Sequence, residues 1–117
     1  MSSTAAGTRD EVAFLEAWRR GVMIAGVEHF GAGNGVIGES KWDLAPRVEE
    51  IERWIGTMSS GEATFIAAMV SFYNARVGGK MLADMNLGSY GLADVTAGLD
   101  PDRRRVIADL LLSYAGW

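Results

Sequence analysis

This sequence predicts an all-α fold, a compact bundle of four main helices plus one short helix. Three observations lead there. Ile66, Val70, Tyr73, Val77, Met81 and Met85 are spaced by four, three, four, four and four residues, one face of a helix with 3.6 residues per turn. Ser59 and Glu62 form the S-x-x-E pattern just ahead of that run, in which each side chain can satisfy a backbone N–H at a helix start. Asp100-Pro101 pairs an N-cap residue with proline at the first helical position.

In chain order, residues 1–8 read as a disordered tail and residues 9–117 as a single all-α domain. A first helix is expected to start near Arg9 or Asp10, with Phe14, Trp18, Val22, Ala25 and His29 on one face. Gly21 and Gly26 each weaken it by about 1 kcal/mol relative to Ala, so a strand over residues 22–27 competes. Residues 31–38, GAGNGVIG, form a loop that needs positive φ. The second helix takes Asp43 as N-cap and Pro46 in its first turn. Leu44, Val48, Ile51 and Ile55 are its apolar face, and Gly56 is its C-terminal cap. The third helix starts after Ser59 and reaches Asn86, with Gly88 as its stop. Gly78 and Gly79 lie inside it, marking a kink or the close approach of another helix. A short helix over residues 92–97 precedes the last one, whose Val106, Ile107, Leu110, Leu111 and Tyr114 face the core.

The chain of 117 residues is one domain's worth, and with 49% hydrophobic residues it can fill a core. No run of apolar residues is long enough to cross a membrane, and no secretory signal pattern opens the sequence. The absence of cysteine excludes disulfides, thiol catalysis and cysteine-ligated metal, and fits a cytoplasmic setting. A net charge of −4 argues against a general nucleic-acid binder, whose affinity comes mainly from neutralising phosphates. Of the 11 basic residues only Lys41 and Lys80 are lysines, and the planar arginine fork suits ion pairs and interfaces.

Few residues point to chemistry. Gly33, Gly35 and Gly38 match G-x-G-x-x-G, but that motif cradles phosphate only between a strand and a helix, and the flanks here read helical. His29 is the only histidine and would be the natural general base near neutral pH. Its expected place near a helix C-terminus, which tolerates positive charge, gives it an ordinary structural role instead. No E-x-x-H or H-x-x-x-H spacing exists, so helical metal sites lack their ligands. Glu49, Glu50 and Glu52 read as a solvated helix face. Arg103, Arg104 and Arg105 stand in the first turns of the last helix, where cations oppose the helix dipole and invite an anionic partner. A helix-turn-helix pattern around Gly98 fits poorly, with Asp94 and Arg104 at positions that want small or aliphatic residues. Among four tryptophans, Trp18 and Trp54 sit at core-like positions, while Trp42 and Trp117 lie at element edges and suit an interface.

Two stretches, residues 59–82 (SSGEATFIAAMVSFYNARVGGKML) and 99–117 (LDPDRRRVIADLLLSYAGW), resemble small uncharacterised all-α proteins of proteobacterial integrative or conjugative elements. The resemblance implies a bacterial, cytoplasmic accessory protein and brings no catalytic or binding residues with it. The expected function is a non-enzymatic protein–protein interaction module, a homodimer without cofactor or metal. Its candidate contact residues are Trp42, Gly78, Gly79 and Trp117. The alternative is a nucleic-acid-binding accessory protein using Arg103, Arg104 and Arg105.

Overall fold

The computed structural model describes residues 2–33, 40–85 and 91–117, with side chains from Asp10 onward. Six α-helices cover most of them: α1 (Ser2–Ala25), α2 (Val48–Trp54), α3 (Ser60–Tyr73), α4 (Ala75–Met85), α5 (Leu92–Ala97) and α6 (Pro101–Ser113). Three short 3₁₀ turns link them, and among the described residues the extended backbone forms only one isolated bridge, between Phe30 and Pro46. The all-α expectation holds.

Buried α3 is the centre of the molecule. Its residues 63–70 are all buried, because it carries small and apolar side chains on every face. Its start is the expected capping box: the Glu62 N–H donates to Ser59 Oγ (3.2 Å) and the Ser59 N–H to Glu62 Oε1 (3.0 Å). The Ser59 backbone N–H, and after it the Ser59 hydroxyl, hold the Glu62 carboxyl below its ordinary value. α1 and α6 pack against each other along their length, with Phe14, Trp18, Val22, Val106 and Leu110 turned into the core. Arg20 and Asp109 close the outer edge of that seam at 2.5 Å.

Several expectations need correction. α1 is helical from Ser2, upstream of the start expected near Arg9, and it continues to Ala25, which removes the competing strand over residues 22–27. The second helix is split. Pro46 pushes Ala45 into extended backbone (φ −62°, ψ 146°), so a 3₁₀ turn over Lys41–Leu44 ends before α2 begins at Val48. Asp43 is therefore no helix cap; its carboxylate accepts the Ser40 N–H instead. Gly56 caps nothing either, lying inside the 3₁₀ turn Ile55–Thr57.

The long third helix breaks at Asn74, which is extended (φ −149°, ψ 104°). Asn74 closes α3 by donating its N–H to Val70 O (2.8 Å), and opens α4 by accepting the Val77 N–H on Oδ1 (3.1 Å). One residue thus caps both helices and turns a continuous stripe into a corner. The expected end at Asn86 and stop at Gly88 lie outside the described residues.

Candidate interaction surface

The largest aromatic cluster forms where the middle of α1, the residues after α6 and the Lys41–Leu44 turn meet. Trp117 is its hub. Its ring stands edge-to-face on Trp18 (4.8 Å between centroids), Tyr73 (5.2 Å), Trp42 (5.8 Å) and Phe14 (5.9 Å). Such edge-to-face pairs gain beyond their buried area because ring edges are positive and ring faces negative. Trp18 is fully buried and anchors the cluster, donating from Nε1 to Leu44 O at 2.8 Å. Phe14 adds Phe72 and Tyr114 on the far side, at 6.2 and 6.0 Å.

Trp42 is the outermost ring. It is 62% exposed although it packs on Trp117 at an interplanar angle of 76°. It rims a hollow of about 550 Å³ whose walls include Val12, Phe14, Leu15, Lys41 and Trp117. Lys41 is held over two rings, 5.3 Å from the Trp117 centroid and 5.6 Å from Phe14, and donates from Nζ to Gly116 O at 2.5 Å. The Nε1 of Trp117 is shut off from solvent without a hydrogen-bond partner among the described residues.

The structure thus brings together two of the four expected contact residues, Trp42 and Trp117, and gives them unequal places. Trp42 is open, while Trp117 is drawn inward as a packing hub, because four surrounding rings offer it more buried area than an edge position would. Trp54, expected in the core, is 47% exposed: Ile51 and Ile55 take the inward positions of the short α2.

Gly78 and half-buried Gly79 lie on α4, away from the aromatic end. Gly78 permits the α3–α4 corner, since a Cβ there would collide with the backbone N and Cα of Ser71. Its close approach is made within the chain.

The three arginines do not form a shared basic patch. Arg103 bonds Asp100 at 2.7 Å and lies over the Phe65 ring at 5.7 Å. Arg104 donates from Nε to Leu99 O (2.9 Å) and Thr96 O (3.1 Å), satisfying carbonyls at the end of α5. Arg105 faces solvent, 3.7 Å from Asp102. The Asp100 N-cap is formed as expected, accepting the Arg103 N–H at 2.9 Å.

His29 holds a position that sequence reading missed. It is 7% exposed, and its Nδ1 lies 2.6 Å from Glu50 Oε1, tying the turn after α1 to α2. Arg47 ties the same join, donating its backbone N–H to His29 O (2.8 Å) and its guanidinium to Glu28 O (2.7 Å). Glu50 had read as solvated because its spacing carries no sign that a histidine 21 residues upstream folds onto it. Gly31 and Gly33 have φ of 56° and 76°, as the loop required; Gly35 and Gly38 lie outside the described residues. No group of three metal-ligating side chains converges among the described residues. Nor is any helix there long and apolar enough to cross a membrane.

No protein-family model, no curated protein and no solved structure matches this chain.

Proposed function

We propose that this protein is a non-enzymatic interaction module that pairs with a second copy of itself through its aromatic end, with Trp42 as the central contact. The observation that carries this reading is the geometry of Trp42: a large ring, mostly exposed, yet held in place by edge-to-face packing on half-buried Trp117. A pre-ordered tryptophan loses little side-chain entropy on binding and brings a large apolar area, the profile of an interface hot spot. Val12, 52% exposed on the wall of the same hollow, extends the apolar surface around it. Of the three arginines of the nucleic-acid alternative, Arg104 and Arg105 are exposed, but Arg104 is engaged by two backbone carbonyls and Arg105 stands beside an aspartate. A cytoplasmic accessory role on a bacterial mobile element rests on the resemblance of residues 59–82 and 99–117.

Light scattering on the size-exclusion eluate tests the proposal. The expected mass is twice that of the 12.6 kDa chain, falling to the single-chain mass in Trp42→Ala. A wild-type monomer at micromolar concentration overturns it.

A further inference from the structure

We infer that the hollow beneath Trp42 is a binding site for a flat aromatic anion, a one- or two-ring body carrying a carboxylate or sulfonate. This goes beyond the contact-surface reading and does not depend on it, since a single chain contains every wall of the hollow.

Size and lining come first. A space of about 550 Å³ falls within the roughly 300–1,000 Å³ usual for small-molecule sites. Most of its wall is apolar or aromatic, and Glu11, Ser40, Lys41 and Ser113 supply polar groups that can orient a flat body. Trp42, exposed at the mouth, offers a ring face or edge to stack on without rearranging the core.

Charge decides the sign of the ligand. An aromatic cluster of this kind would suit a cation, but Lys41 already takes the cation's place over the Phe14 and Trp117 rings. A second cation would meet repulsion. Lys41 is half-buried, has no carboxylate within 4.0 Å among the described residues, and uses one of its three N–H donors on Gly116 O. Its remaining donors and its charge call for an anion. Trp117, a residue of the same wall, keeps its Nε1 shut off from solvent and without a hydrogen-bond partner among the described residues. Glu11 also lines the hollow and opposes an anion.

The test is a titration of the ¹⁵N-labelled full chain with naphthoate, following the tryptophan indole N–H signals. Naphthamide and naphthylmethylammonium serve as neutral and cationic controls. Saturable shifts of the Trp42 and Trp117 signals, with Trp54 unmoved, are expected. The cationic control should bind at least about tenfold more weakly than naphthoate. Lys41→Met, checked for an unchanged circular dichroism spectrum, should weaken naphthoate by about tenfold or more, and Glu11→Gln should tighten it. Absence of saturation at millimolar naphthoate, equal binding of the cationic control, or a folded Lys41→Met variant with unchanged affinity each overturns the inference. If Lys41→Met fails to fold, the charge controls and Glu11→Gln decide it.

Discussion

The aromatic end and the α3–α4 corner solve the same packing problem by opposite means. At the corner, elements close together because a side chain is missing: Gly78 lets α4 sit against the backbone of Ser71. At the aromatic end they are held apart and joined by rings, with Trp117 filling the space among Trp18, Tyr73, Trp42 and Phe14. Backbone-to-backbone packing leaves no slack between α3 and α4, and the hollow of about 460 Å³ beside α4 opens on its other side, toward Glu52 and Ile55. Ring-to-ring packing at 5–6 Å leaves edges, a hollow and an exposed tryptophan, so the second region is where a partner or ligand finds room. Tight packing makes the corner a structural element, and loose packing makes the aromatic end a functional candidate.

The sharpest way to probe the contrast is Trp18→Ala. Removing a fully buried indole leaves a cavity under the whole ring cluster and strips Leu44 O of its donor. The expected loss is about 3–5 kcal/mol in urea unfolding, with the Trp117 indole signal moving as its support disappears. A loss under about 1 kcal/mol would mean the rings do not hold that end together.

Gly78→Ala tests the corner. Alanine's helix preference favours the variant by about 1 kcal/mol, while overpacking against a backbone that cannot yield costs about 1–3. A net loss of up to about 2 kcal/mol is expected by urea unfolding; stabilisation would show that α4 is free to move away from α3.

Trp42→Ala should cost only about 1 kcal/mol or less, since one edge-to-face contact goes and most of the ring is already in water. A larger loss by thermal unfolding would place Trp42 in the structural core and take away its role as an exposed contact.

The smallest effect concerns the start of α3. Glu62 has its folded-state pKa lowered by the Ser59 backbone N–H and hydroxyl, so its contribution to stability is present above its ordinary 4.5 and lost as pH falls through the lowered folded value. The stability gap between wild type and Glu62→Ala should therefore narrow in acid, read by urea unfolding at neutral pH and below 4.5. A gap that stayed constant would mean the Glu62 charge does not take part in the cap.

Local signals in the sequence were reliable where they involve neighbours a few residues apart. The Ser59–Glu62 box and the Asp100–Pro101 start form through contacts within one turn, whereas of the expected inward face of α6 Val106 and Leu110 are buried but Leu111 and Tyr114 turn out to solvent, 57% and 47% exposed. Asn74 shows how such a signal is overridden: a single extended residue leaves Val77, Met81 and Met85 in step with one another, so the stripe looks unbroken across a corner. The candidate site was half legible. Trp42 stood out as an edge tryptophan, but Lys41 carried no mark at all, since its partners are a carbonyl 75 residues away and rings brought from α1 and from the residues after α6.

The sequence by itself determined the helical class, the capped starts of α3 and α6 and the positive-φ turn at Gly31 and Gly33, because periodicity, capping and glycine's freedom are properties of contiguous residues. Only the tertiary structure decided which tryptophans are buried, that His29 meets Glu50, and that Arg103 and Arg104 are used within the chain. It alone decided that a hollow opens beside Trp42. These depend on distances between residues far apart in the chain, which helix packing sets and local spacing does not encode.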